Sequence, residues 1–247
     1  MSPFDSPPEV VGHRGAPDVA PENTPVSFAA AADAGATWVE LDARRAADDV
    51  LVVHHDARTP DGVEIFRRSA DELAHLGVWS LEAALDALPD GIGVDVEVKN
   101  HPGEPDHDEE QRVASAVVGL LAGRVAQRPW MTSSFNPLAV ERLASGLPHV
   151  PAGLLHTSGA RMASMVPIAL ELGARVLCPQ VGSPDLDAAG IATAHAEGLP
   201  VLVWTVDDLG EATRLAGAGV DALCTNTPAA LVAHLRALRD DGEPARH

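Results

Sequence analysis

The chain contains no tyrosine, only four tryptophans and four phenylalanines, and 3% aromatic residues in all. A sizeable core must therefore be built from Ala, Val and Leu, which the 46% hydrophobic content supplies. Cysteine is scarce too. Cys178 and Cys224 both fall inside apolar, strand-like runs, so no disulfide framework is expected and a reducing compartment fits. No stretch approaches the roughly 18 apolar residues a membrane span needs. Met1 to Glu9 has neither the basic cluster nor the apolar core of a signal peptide. A cytoplasmic protein without stable membrane insertion is expected. Positive charge is also in deficit, with 17 basic against 36 acidic side chains and a net charge of −19. That field repels nucleic acid and anionic lipid surfaces, so neither is expected as a partner. It would equally repel a phosphate-bearing substrate unless the site carries its own positive charge. A Gly-rich phosphate loop and a Gly-x-Ser-x-Gly elbow are missing as well, which argues against a P-loop enzyme or a serine hydrolase.

What is present is a repeating pattern. The 247 residues contain no Pro/Gly/Ser-rich linker, and about 250 residues is typical of a (β/α)8 barrel. Eight near-continuous apolar runs read as strands buried on both faces: 10–12, 38–42, 92–98, 130–133, 152–155, 176–178, 201–205 and 222–225. Helical patterns lie between them, such as Val113, Ala116, Val117, Leu120 and Leu121, or Leu231, Leu235 and Leu238. A capping residue followed by proline recurs at Thr24-Pro25, Asn136-Pro137, Ser183-Pro184 and Thr227-Pro228, each expected to open a helix. The fold class expected is α/β, a TIM barrel forming one domain over residues 9–239. Residues 1–8 are expected as a loose Pro-rich tail and residues 240–247 as a C-terminal tail.

A ninth run, Val50 to Val53, breaks the count. Only about eight residues separate it from Asp42, fewer than the dozen or so a parallel crossover requires. An antiparallel hairpin turning near Asp48-Asp49 is expected instead, returning His55 to the level of the strand ends. Residues 57–79 are then a short insertion after the second strand, with a turn at Pro60-Asp61-Gly62, ahead of a helix over Leu81–Leu88.

Acidic and imidazole side chains gather where these strands end, the place where chemistry collects in parallel sheets and barrels. Val10-Val11 leads into His13, Trp38-Val39 into Glu40, and Leu51-Val52-Val53 into His54-His55. Side chains alternate along a strand, so Glu40 and Asp42 share a face, as do Asp95, Glu97 and Lys99. Carboxylates buried side by side repel one another, and a divalent cation resolves the conflict. Oxygen donors without cysteine point to Mg²⁺ or Ca²⁺, with Mn²⁺ as a third option, rather than zinc. A solvated strand edge or an ordinary salt bridge is the plain alternative. Lys99 is the only lysine beside 16 arginines. A position that keeps a compact ammonium suits a phosphate site, and with Arg14 it supplies the local positive charge required above. His13 and His55 can exchange protons near neutral pH and are candidates for general acid and base. Strand alternation turns only one of His54 and His55 toward the site, and His55 is favoured because the carboxylate of Asp56 beside it could orient the ring. His75, His149, His195 and His234 read as structural.

These residues resemble the glycerophosphodiester phosphodiesterase family, relatives of the bacterial phosphatidylinositol-specific phospholipase C barrels. The resemblance rests on His13-Arg14-Gly15, Pro21-Glu22-Asn23-Thr24, Glu40-Leu41-Asp42, His55-Asp56, Glu97-Val98-Lys99, Ser134-Phe135, Trp204-Thr205 and Thr225-Asn226-Thr227-Pro228, in that order across nearly the whole chain. It implies metal-dependent hydrolysis of a glycerophosphodiester to glycerol 3-phosphate and an alcohol. Glu40, Asp42 and Glu97 would bind the metal, His13 and His55 would form the acid/base pair, and Arg14 and Lys99 would hold the phosphate. Trp204 would line the alcohol side of the pocket, with plain core packing as its other reading. Departures from the family pattern are Pro25, a short 57–79 insertion without the usual Arg/Thr-rich opening, and Asn226 in place of a commoner Asp. Two other functions stay open on sequence: a lysophospholipase D using the same site, and a non-catalytic phosphate-ligand binding barrel. Oligomeric state is not legible.

Overall fold

The computed structural model describes residues 2–242. Its strands are β1 (Glu9–Gly12), β2 (Trp38–Arg45), β3 (Leu51–Val53), β4 (Trp79–Ser80), β5 (Gly93–Val98), β6 (Trp130–Ser134), β7 (Ala152–His156), β8 (Val176–Pro179), β9 (Leu202–Val203) and β10 (Ala222–Thr225). The helices flanking them include α1 (Pro25–Asp33), α2 (Ala70–Ala74), α3 (Leu81–Asp86), α4 (Arg112–Ala122), α5 (Pro137–Gly146), α6 (Met162–Glu171), α7 (Ala188–Ala196), α8 (Leu209–Ala218) and α9 (Pro228–Gly242). Eight parallel strands run in the order β8-β7-β6-β5-β2-β1-β10-β9. The ring closes through single bridges between the outermost pair, Leu177 with Val201 and Gln180 with Trp204. This is the expected TIM barrel, and each of its eight strands overlaps an apolar run read from the sequence.

Two apolar layers follow from strand alternation. Outward residues such as Val39, Leu41, Val94, Val96 and Leu154 pack beneath the helices. Inward residues Val11, Trp38, Met131, Leu155, Cys178, Leu202 and Cys224 fill the barrel. Trp38 fits inside because Gly93 faces it, since a Cβ there would come within 2.4 Å of the indole ring. Phe4 stacks edge-on against Trp38 with ring centroids 5.7 Å apart and is buried. The N-terminal segment, expected as a loose tail, is thus anchored by an aromatic ring. At the other end α9 runs to Gly242, past the boundary expected at residue 239; residues 243–247 of the expected tail lie outside the described residues.

The hairpin forms as its short connection requires. β3 pairs antiparallel with the end of β2, Ala43 opposite Val53 and Arg45 opposite Leu51, and β4 adds antiparallel to β3. Asp49 takes the left-handed conformation at the turn (φ 64°), one that an Asp side chain tolerates. The 57–79 insertion carries α2, opened by a capping box between Ser69 and Glu72. Its own small core joins Ile65, Leu73 and Val78 to Ala46 and Val52 of the hairpin.

Capping accounts for most helix starts. Thr24 accepts from Ser27 N and Asn136 from Leu138 N, each followed by the expected proline, and α9 opens at Pro228. Ser183-Pro184 does not behave this way. Asp185 turns left-handed (φ 58°) just after the proline, and α7 begins only at Ala188, capped by Asp187. Proline there shapes a turn instead of opening a helix.

Candidate active site

The carboxylates converge because of strand register. β2 and β5 pair so that Glu40 lies beside Asp95 and Asp42 beside Glu97, with all four side chains directed into the mouth of the barrel. One oxygen each from Glu40, Asp42 and Glu97 lies within 4.8 Å of the others. Asp95 sits outside this group and accepts from Ser133 Oγ at 3.0 Å. Asp42 is held by the loop before α1: Asn23 Nδ2 donates to its Oδ2 (2.7 Å), and Asn23 Oδ1 accepts from the Asp42 backbone N–H (3.2 Å).

Two cations reach into the same spot. Lys99 Nζ lies 2.9 Å from Asp42 Oδ1 and 2.5 Å from Glu97 Oε1. Arg14 donates its backbone N–H to Glu40 Oε2 (2.9 Å), while its guanidinium spans Asp42 (3.3 Å) and Glu22 (3.0 Å). Arg14 has a positive φ of 55°, followed by Gly15 at 92°. A Cβ on Gly15 would come within 2.4 Å of Ser27 Oγ, so the turn that aims Arg14 needs glycine there. Local positive charge, the requirement set by the acidic composition, is met by these two side chains.

The charges do not balance. Burial pushes the Glu40 pKa well up, and Asp42 and Glu97 push it further. Burial also raises Glu97, against the pull of Lys99. For Asp42 burial acts upward as well, but Lys99 and Arg14 overcome it and hold this carboxyl below the usual range. Asp95 is pushed up to about 7, mainly by burial, with the Ser133 hydrogen bond opposing. Glu40 Oε1 is buried with no hydrogen-bond partner. Asp42 Oδ1, though ion-paired with Lys99, and Asp95 Oδ1 also lack a hydrogen-bond partner, and a crowded set of oxygen donors with orphaned carboxylate oxygens is what a hard divalent cation satisfies.

Two imidazoles flank the carboxylates. His13 Nδ1 is 2.7 Å from Asn226 Oδ1. The Asn226 amide is oriented by Asp207, which accepts from both its Nδ2 (2.7 Å) and its backbone N–H (2.8 Å). Since a carboxylate can only accept, the amide oxygen must face His13, and His13 carries its proton on Nδ1. His55 Nδ1 lies 2.8 Å from Asp56 Oδ1 and is fixed in the same tautomer. In both rings Nε2 is left to exchange protons. Burial lowers both pKa values, helped by Arg14 at His13 and by Lys99 at His55. His54 turns aside to the carbonyl of Asp56.

A cleft of about 230 Å³ opens over this group, lined by His55, Glu97, Lys99, Asn100, Phe135 and Thr157 among others. Trp204 stands one ring behind it: its indole donates to the Cys178 carbonyl (2.9 Å) and stacks edge-on against Phe135 at 5.3 Å.

The profile described as the Glycerophosphoryl diester phosphodiesterase family matches residues 13–230. The chain belongs to that family. It is a phosphoric diester hydrolase with glycerophosphodiester phosphodiesterase activity. The Bacillus subtilis protein YhdW is 29% identical over 238 residues, 89% of this chain and 94% of that protein. A glycerophosphodiester phosphodiesterase of Caldanaerobacter subterraneus is 28% identical over 247 residues, covering 90% and 96%. Among solved structures, an Oleispira antarctica phosphodiesterase in complex with the product sn-glycerol-3-phosphate superposes with a TM-score of 0.79, at 24% identity over 93% of this chain and 97% of that one.

Within this phosphodiesterase the sequence-predicted residues split in two. His13, Arg14, Glu40, Asp42, Glu97, Lys99 and His55 come together at one mouth of the barrel, while Trp204 supports the cleft through Phe135 without lining it. Sequence reasoning did not single out Asn23 as the holder of Asp42, Asp207 as the anchor of Asn226, or Arg44. Asn23 and Asn226 stood inside quoted motifs, where their residue type was a usable signal. Among the described residues no helix is long and apolar enough to cross a membrane.

Proposed function

We propose that the chain hydrolyses a glycerophosphodiester to glycerol 3-phosphate and an alcohol, using a divalent cation held by Glu40, Asp42 and Glu97. The observation that carries this reading is the convergence of three buried carboxylates between two imidazoles whose Nδ1 atoms are both tied down. The donor set favours Mg²⁺ or Ca²⁺, with Mn²⁺ as a third option. When bound, such a cation polarises a phosphoryl oxygen and neutralises developing charge. Arg14 and Lys99 hold the phosphate. One imidazole takes the proton of the nucleophile through Nε2, and the other delivers a proton to the leaving alcohol. The nucleophile is either water or the substrate's neighbouring hydroxyl, and in the second case a cyclic phosphodiester forms that water then opens to glycerol 3-phosphate. The product named for the Oleispira antarctica relative supports glycerol 3-phosphate as the product here.

A lysophospholipase D needs an apolar seat for an acyl chain; the insertion exposes Leu76 and Trp79, but neither lines the clefts at the site. Ile65 is fully buried. The neighbouring cleft, about 640 Å³, carries the charged or titratable side chains Glu22, His54, Asp56, Arg58 and Glu104 in its lining. Those side chains favour a small polar alcohol. The substrate reading therefore stays with a small-molecule glycerophosphodiester, handled by one barrel domain over residues 9–239 with 57–79 as its insertion. The two buried free thiols suit a cytoplasmic setting. Incubating the protein with glycerophosphodiesters and lysolipids, with Mg²⁺, Ca²⁺, Mn²⁺ or chelator, and detecting glycerol 3-phosphate tests the reading. Release of the phosphomonoester from lysolipids alone would overturn it.

A further inference from the structure

Arg44 is the largest fully buried side chain among the described residues, 1% exposed. It follows Glu40 and Asp42 on the same face of β2, one pleat beyond the carboxylates. Burying a guanidinium is costly unless every donor is used. Here each nitrogen has a partner. Nε and Nη2 both donate to the main-chain carbonyl of His55, at 2.8 and 2.6 Å. Nη2 also meets Glu104 Oε1 (3.1 Å), and Nη1 meets Glu104 Oε2 (3.0 Å) and Asp106 Oδ2 (2.6 Å). Glu104 and Asp106 belong to the loop joining β5 to α4. That loop lines the cleft over the carboxylates through Asn100, His101 and Glu104. A single planar fork therefore ties the residue that carries one imidazole to the loop that walls the cleft.

We propose that Arg44 is a positioning residue for the hydrolysis. It fixes the main chain at His55, so that the imidazole is presented to the cleft at a set depth, and it clamps the 101–108 loop against the same point. The proposal rests on the reading of His55 as an acid/base residue. Among the described residues the His55 ring is held only by Asp56, which is itself exposed. Lysine cannot replace the fork, because one ammonium cannot span a carbonyl and two carboxylates in this geometry. Loss of the clamp lets the imidazole drift, and misplacement by about 1 Å is enough to cost about 10²-fold in rate.

The test measures kcat and KM on a glycerophosphodiester for the wild type, Arg44→Gln, Arg44→Lys, Asp106→Asn and His55→Ala, each well below its own melting temperature. Arg44→Gln is expected to lose roughly 30- to 100-fold in kcat with KM within about 3-fold, Arg44→Lys to fall between it and wild type, and Asp106→Asn to lose less. A merely structural Arg44 would lower the folded fraction and leave kcat per folded molecule unchanged. Folded Arg44→Gln with wild-type kcat, beside an inactive His55→Ala, overturns the proposal. If His55→Ala is itself active, the reading of His55 fails, and the proposal fails with it by a distinguishable route. Should Arg44→Gln not fold, Arg44→Lys and Asp106→Asn decide: lowered kcat at unchanged KM supports the clamp, and wild-type kcat in both refutes it.

Discussion

Asn226 accepts a hydrogen bond from His13 Nδ1 at 2.7 Å, where an aspartate would place a full negative charge. A neutral acceptor orients the ring and stabilises its imidazolium form less than a full charge would. Burial and Arg14 then keep the His13 pKa below that of a free imidazole. Asn226→Asp should raise it. The limb of the kcat/KM profile that belongs to His13 is expected to move to higher pH, by about one unit for a partly buried charge pair. Asn226→Leu removes the acceptor and is expected to reduce kcat about 10-fold or more, because the ring loses its fixed tautomer. Rate profiles from pH 5 to 9 for the two variants check both; an unmoved limb in Asn226→Asp would remove His13 from the proton transfers.

His13→Ala and His55→Ala should each lower the rate by about 10²-fold or more while the circular dichroism spectrum stays that of the wild type. Neither ring belongs to the apolar clusters of the barrel. Near-normal turnover in both variants would remove the acid/base pair from the mechanism.

Glu40 holds a proton more tightly than a free carboxyl because burial and two neighbouring carboxylates disfavour its charge. A divalent cation entering there must displace that proton, so its affinity is expected to rise with pH up to the raised Glu40 pKa. Calorimetric titration of Mg²⁺ or Ca²⁺ in two buffers of different ionisation enthalpy should reveal proton release that fades as pH rises past the raised Glu40 pKa. Glu97→Gln should abolish both the binding signal and the metal dependence of turnover. Full activity in chelator would contradict the assignment.

Asp95 gives a stability prediction with a defined sign. Its pKa is raised from 3.8 to about 7 in the folded state, chiefly by burial, so between those values the folded protein binds more protons than the unfolded chain. Stability contributed by the neutral carboxyl is present below pH 4 and is lost as pH rises toward 7, on the order of 4 kcal/mol in all. Asp95→Asn keeps a neutral side chain at every pH. In chelator, its melting temperature should exceed that of the wild type by a margin that widens from pH 5 to pH 8, as followed by calorimetry. A constant margin would mean that Asp95 does not titrate in this range.

The barrel was legible because its strands are buried on both faces and so read as unbroken apolar runs, and because a gap of about eight residues is too short for a crossover and dictates the hairpin. The carboxylates were legible for a related reason: two-residue spacing on adjacent strands becomes one cluster once register is set. What escaped lies in contacts between distant loops. Strand alternation puts Arg44 on the face of Glu40 and Asp42, unlike Arg45, whose guanidinium pairs at the surface with Asp49, but its partners lie 60 and 62 positions away, where no local pattern reaches. Asn226 read as a minor replacement, yet it is the partner of His13. Ser183-Pro184 matched a helix-opening pattern and proved a turn, because Asp185 leaves the helical region immediately afterwards.

The hairpin has a consequence for how tolerant this enzyme is of change. Glu40, Asp42 and Arg44 climb one strand and His55 ends the return, so a few turn residues around Asp49 set where the ring sits against the carboxylates. Adding or deleting a single residue there would rotate the descending strand by half a period and turn His55 outward, with every catalytic side chain still present. Length at the tip of that turn is therefore under the same constraint as the chemistry it never touches.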